Sequence, residues 1–105
     1  MRDLVQWGVA IRSGGVLLKD TSSMFRVYPE SELQGMHYGY GIVIAERNGR
    51  RPYYHGGGIN GFTSVLQIYP DDELNLAVLS NLDSDATKTP SWTVADHLAA
   101  AFLKP

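Results

Sequence analysis

The 105-residue sequence contains no cysteine. That excludes disulfide staples and thiolate sites, and leaves the redox compartment open. No apolar run approaches the roughly 20 residues that a membrane-spanning helix needs. Met1-Arg2-Asp3-Leu4 is not followed by the apolar core of a secretion signal. Basic charge is not in excess: 9 Lys and Arg stand against 11 Asp and Glu, a formal net charge of −2. A nucleic-acid or anionic-membrane partner calls for a basic surface, so neither is expected. His37, His55 and His97 never fall at a paired ligand spacing, which argues against zinc. Asp71-Asp72-Glu73 lacks the alternating oxygen ligands of a calcium loop and reads as an acidic turn. No cofactor is implied. What is present, 44% hydrophobic and 19% charged residues, suits one small globular domain over 1–105 with a modest core.

Two periods run through the chain. Leu4, Trp7 and Ile11, widened by Val5 and Val9, predict a helix over 3–13 that stops at Gly14-Gly15. A second, short helix is expected near Thr21, capped by that hydroxyl, presenting Met24, Phe25 and Val27 and ending at Pro29. From Tyr38 to Ala45 the period becomes two, which predicts one strand. Asn48-Gly49 is a turn signal, with Arg47, Arg50 and Arg51 keeping it in water. Tyr53-Tyr54-His55 reads as a short strand, Gly56 to Gly61 as a loop, and Phe62 to Tyr69 as a third strand. Pro70 to Glu73 is a turn. Leu74 to Asn81 is continuously apolar, the pattern of a central strand covered on both faces. Thr89-Pro90 starts a last helix whose expected buried stripe is Val94, Ala95, Leu98, Ala99 and Phe102. Trp7 and Trp92 read as core anchors on helix faces, and the tyrosines as cross-strand pairs. The outline is an α+β fold: N-terminal helices, an antiparallel meander of three or four strands, and a C-terminal helix.

The chemistry-bearing feature is His55-Gly56-Gly57-Gly58, followed by Ile59-Asn60-Gly61-Phe62-Thr63-Ser64. Glycine lets a backbone approach a ligand closely, and a histidine beside it can donate to an anion or relay a proton. The competing reading is an irregular loop in which glycine only relieves strain. A lipase oxyanion loop is a further alternative, but it requires a downstream Gly-x-Ser-x-Gly pentad, and none exists here.

Read with its flanks, the segment fits another group. Tyr38-Gly39-Tyr40-Gly41-Ile42 resembles the Tyr-Gly-x-Gly strand of β-lactamase-like serine hydrolases, a group that includes class C β-lactamases, D-alanyl carboxypeptidases and related esterases. His55-Gly56-Gly57 is similar to its third motif, Lys/His-(Thr/Ser/Gly)-Gly. Gly61-Phe62-Thr63-Ser64, Tyr69-Pro70 and Val78-Leu79-Ser80-Asn81 follow in the family's order, and Asp3-Leu4-Val5-Gln6-Trp7 with Gly14-Gly15-Val16-Leu17 resembles the helix that precedes this region. The resemblance covers nearly the whole chain. It implies that the strand ending at His55 forms one wall of an active-site groove. His55 would stand where many members carry lysine, and Gly56 and Gly57 would let an acyl group lie against the strand. The Gly58 N–H would be an oxyanion donor, with Gly57 as substitute one register away, and Asn60 would contact substrate. The substrate implied is a small molecule or peptide: a β-lactam, a D-Ala peptide or an ester.

The family's nucleophile and base are missing. No serine here has lysine three positions later, and no Tyr-x-Asn or Ser-x-Asn occurs. Lys88-Thr89 begins like Lys-Thr-Gly, but Pro90 follows and the pair reads as a helix start. Nucleophile, base and oxyanion hole act as a unit, so the expected identity is an inactive C-terminal part of such a hydrolase. The resemblance implies a periplasmic or extracellular location for the whole. The alternative is a non-catalytic module that binds a peptide or protein through its groove or sheet edge. The resemblance also implies that Leu74–Asn81 finds its outer partner in an upstream segment. Without one it would be an open edge prone to self-association.

Overall fold

The computed structural model describes residues 1–14, 22–85 and 88–105. The Thr21 cap and the 15–17 part of the Gly-Gly-Val-Leu match lie outside them. Helix α1 (Arg2–Ser13) buries Gly8 and Ile11 and stops at Gly14, whose φ of 75° is the left-handed conformation expected of a helix stop. Trp7 is not the anchor its spacing suggests, since it is 46% exposed.

Five strands follow: β1 (His37–Tyr38), β2 (Val43–Ile44), β3 (Tyr53–Ile59), β4 (Phe62–Tyr69) and β5 (Leu74–Ser80). They form one antiparallel sheet in the order β1-β2-β3-β4-β5, and α2 (Pro90–Phe102) closes the described fold. The architecture is α+β, with five strands where three or four were expected. The extra strand arises because 38–45 is not continuous. The Gly39 N–H bonds the Ile42 carbonyl and Gly41 takes φ 73°, so the chain doubles back and His37 faces Ile44. Only glycine fits at 39, because the Met24 carbonyl oxygen crowds the place where a Cβ would stand. Instead of one short helix after residue 21, a 3-10 turn spans Ser22–Phe25, and Pro29 begins another at Pro29–Ser31 instead of ending the first.

Asn48-Gly49 makes the expected turn, both residues at positive φ. Its arginines do not simply sit in water. The Arg47 Nε and Nη2 groups donate to both Asp96 carboxylate oxygens at 2.8 and 2.6 Å. The Arg47 guanidinium carbon lies 4.5 Å from the Trp92 ring centroid. Arg50 donates to Asp72 at 3.0 Å and to the Lys104 carbonyl at 2.6 Å. Gln67, fully buried in β4, donates to Asp96 at 3.3 Å and accepts from the Tyr69 hydroxyl at 3.0 Å. Asn48 donates to that hydroxyl in turn. A polar chain thus ties the turn, β4 and α2 together.

Side chains alternate along β4, so Val65, Gln67 and Tyr69 face α2 while Ile68 faces α1 at Gly8. The two helices cover opposite faces. Tyr69, Leu76 and Ala99 form the core cluster, with Leu74 and Leu103 packed against it. On α2 the buried stripe is Ser91, Ala95 and Ala99, so Ala95 and Ala99 of the expected stripe are buried while Val94, Leu98 and Phe102 are not. Small residues let the helix lie close on the sheet, and Val94 (47%), Leu98 (37%) and Phe102 (66%) stay exposed. Thr89 precedes α2 as expected, but its hydroxyl makes no capping bond to the helix. Nor is β5 central. Among the described residues only β4 pairs with it, and Leu79 is 49% exposed.

Burial pushes the Asp96 carboxyl up, but the Arg47 guanidinium outweighs that, with help from Gln67 and Asn48, and holds it below the usual carboxylate range. A carboxyl depressed on folding adds stability above its unfolded pKa and loses it as pH falls through the lower folded value. Asp96→Asn should therefore cost about 1–2 kcal/mol at neutral pH, discounted for partial exposure, and flatten the acid limb below about pH 4. Urea melts across pH check both effects.

Candidate functional site

The glycines read as a loop after His55 are strand. β3 continues through Gly56, Gly57 and Gly58 to Ile59, each paired in register with β4: His55 with Leu66, Gly56 with Val65, Gly57 with Ser64 and Gly58 with Thr63. On its other side β3 pairs with β2 only at Tyr53 and Tyr54. From His55 onward, that side has no strand partner among the described residues. The five residues singled out in the sequence all lie in one hairpin at this rim, with Asn60 exposed at its tip.

The direction of the backbone groups follows from the turn. Ile59 and Phe62 face each other across the two-residue turn Asn60-Gly61. A pair closing so tight a turn must exchange both backbone hydrogen bonds, and antiparallel ladders alternate such pairs with pairs that exchange none. His55, Gly57 and Ile59 therefore spend their N–H and C=O groups on β4. Gly56 and Gly58 turn theirs outward to the unpaired rim.

Each glycine has its own surroundings. An ideal Cβ on Gly56 would stand 2.8 Å from Cζ2 of Trp92, so the indole props the strand from behind. Trp92 also meets Tyr54 edge-to-face at 5.3 Å, and Tyr54 is buried there. A Cβ on Gly57 would approach Ser64 Oγ at 2.7 Å on the opposite face, whereas one on Gly58 would meet nothing within 4 Å. A shallow hollow of about 400 Å³ lies at this end of the sheet, lined by Gly57, Gly58, Phe62, Ser64 and Leu79 among others. Asn60 borders a neighbouring hollow of about 260 Å³ with Asp83 and Ser84, and the Asp83 carboxylate accepts the Gly61 N–H.

His55 is exposed on the face opposite Tyr54 and Gly56. Its Nδ1 lies 2.6 Å from the Gly56 carbonyl oxygen and its Nε2 2.9 Å from the Tyr38 hydroxyl. The two rings meet edge-on at 5.8 Å. Beside them Tyr28, Glu30, Ser31, Tyr38, Gly39 and Tyr40 line a further hollow of about 320 Å³. Among the described residues no cluster of three or more His, Cys, Asp or Glu is placed to hold a metal. No helix there is long and apolar enough to cross a membrane.

The sequence model of the Beta-lactamase family matches residues 1–101. The chain belongs to the Beta-lactamase family. No curated protein matches it significantly. The membership agrees with a shared antiparallel sheet that joins 37–44 and 62–69 and puts His55 and Gly58 on its rim. The sequence did not mark Tyr38 or Trp92 as partners of this hairpin. Tyr38 stands in the Tyr-Gly-x-Gly motif, yet nothing in that spacing says its hydroxyl reaches His55. Three of the tyrosines do face cross-strand partners: Tyr38 faces Val43, Tyr53 faces Ile44 and Ile68, and Tyr54 faces Val43 and Gln67. Tyr40 lies outside the strands and meets Tyr28 at 5.8 Å, and Tyr53 also stacks on Phe25 at 4.0 Å.

The packing separates two similar substitutions. Gly56→Ala must displace Trp92 and should cost about 1–3 kcal/mol, the usual penalty of overpacking. Gly58→Ala should change stability by less than about 1 kcal/mol. Thermal melts of the two variants make the comparison.

Proposed function

We propose that this chain forms one wall of the acyl-transfer groove of a β-lactamase-type serine hydrolase and is inactive alone. The observation that carries this reading is the unpaired rim of β3, where Gly56 and Gly58 turn their backbone outward beside His55. An acyl group laid along such a rim finds N–H donors without side chains in the way. The Gly58 N–H is placed to stabilise charge developing on a carbonyl oxygen, a role that a fixed backbone donor performs well. His55 flanks the same rim, Gly56 and Gly57 keep it flat, and Asn60 lies at its mouth. Nucleophile and base come from a Ser-x-x-Lys segment outside this sequence, either upstream in a longer chain or on a separate one. The 105-residue chain should not turn over nitrocefin or a p-nitrophenyl ester. A longer form that includes Ser-x-x-Lys should do so, and Gly58→Pro, which deletes the donor, should slow it roughly 100-fold or more. Turnover by the short chain, abolished by Gly58→Pro, would overturn the reading.

The same reading gives β5 a partner strand outside this sequence. Leu74–Ser80 carries no charge and no proline, two devices that usually blunt an edge. Val94 and Leu98 lie on the flank of α2 away from Trp92 and Asp96, which adds apolar surface. The chain alone should self-associate as its concentration rises, and Leu79→Lys should reduce this. Sedimentation showing only monomer at millimolar protein would count against it.

A further inference from the structure

The hollow beside the rim carries chemistry that the groove does not use. Tyr28, Tyr38 and Tyr40 line it together with Glu30. Its walls are tied to one another. The Ser31 hydroxyl donates to the Tyr28 carbonyl at 2.7 Å and accepts the Tyr38 N–H at 3.1 Å. The bond from the Gly39 N–H to the Ile42 carbonyl sets the bend that carries Tyr40. The Tyr28 and Tyr40 rings lie 5.8 Å apart and are tilted by 56°, so neither ring covers the other's face.

An aromatic face is negative and attracts a cation. Tyr28 already does so on one side, since the Arg26 guanidinium carbon lies 5.7 Å from its ring centroid. Arg26 is not part of the lining, and among the described residues no lysine or arginine is. Glu30 is part of it, and among the described residues it has no ion-pair partner. Three tyrosines and one carboxylate suit a positively charged group, whereas an anion would meet Glu30 as a like charge. Tyr38 joins this hollow to the rim, because its hydroxyl lies 2.9 Å from Nε2 of His55. The outward Gly56 and Gly58 N–H groups suit an oxygen acceptor, and the hollow next to them suits a cation.

We propose that this hollow is a binding site for alkylammonium groups, which directs the rim toward esters and amides that carry such a cation. The substrate preference rests on the groove reading above, and the cation site does not.

Two esters of one shape test it on the chain itself: acetylcholine and its uncharged isostere, neohexyl acetate. They are titrated at about pH 8, where imidazole is ordinarily neutral, while the tyrosine ring signals and the Gly56 and Gly58 amides are followed by NMR. Acetylcholine should move the Tyr28, Tyr38 and Tyr40 ring signals and bind about tenfold more tightly than the isostere. Glu30→Gln and Tyr40→Leu, both at exposed positions, should each weaken it about two- to fivefold. Arg26→Gln removes a like charge and should strengthen it. Equal or tighter binding of the uncharged ester would overturn the cation site, and so would loss of acetylcholine binding in Arg26→Gln. Shifts of the Gly56 and Gly58 amides in the same titration support the substrate preference. If the rings responded and those amides did not, the preference and the groove reading would fall while the cation site stood.

Discussion

The fold depends on one polar chain that leads from the buried face of the sheet to the surface: Arg47 to Asp96, Asp96 to Gln67, Gln67 to Tyr69, Tyr69 to Asn48. Buried polar groups are costly unless each is partnered, so Gln67 and Tyr69, the buried members, hold their half-buried and exposed partners in place. The turn at Asn48-Gly49 is thereby fixed to α2. Arg47 in addition stacks on Trp92, which presses against Gly56. The network thus reaches the β3 rim through one aromatic ring. It sets where the His55 strand lies without contributing any atom to it.

Much of this was legible in the sequence, where local rules suffice. The β4 limits, the α1 stop at Gly14 and the Asn48-Gly49 turn coincide with expectation because alternation, a C-terminal glycine and a turn dipeptide each act over a few residues. The family was legible for a different reason: several weak motifs recur in one order. The errors share a cause, contact between residues distant in sequence. The alternating pattern of 38–45 conceals a hairpin because the approach of the Met24 carbonyl to Gly39 leaves no trace nearby. The glycines of 56–58 look like loop by composition, yet one of them is needed because an indole from α2 occupies the Cβ position.

The α2 stripe teaches the same lesson about burial. Val94, Leu98 and Phe102 are the most hydrophobic choices at helical spacing, yet Ser91, Ala95 and Ala99 face the sheet. Close approach of helix to sheet favours small side chains, while the larger ones lie uncovered beside the β5 edge. An exposed apolar flank next to an uncharged strand whose outer edge has no partner among the described residues is a surface suited to further protein. That surface is what the proposed groove, completed by a second wall, would require.

The central claim is that Gly56 and Gly58 turn their backbone to the open rim while Gly57 is bound to β4. Amide hydrogen exchange on the isolated chain, read residue by residue, tests this most directly. The account predicts fast exchange at Gly56 and Gly58 and strong protection at Gly57. Protected Gly56 and Gly58 amides flanking a fast-exchanging Gly57 would contradict it.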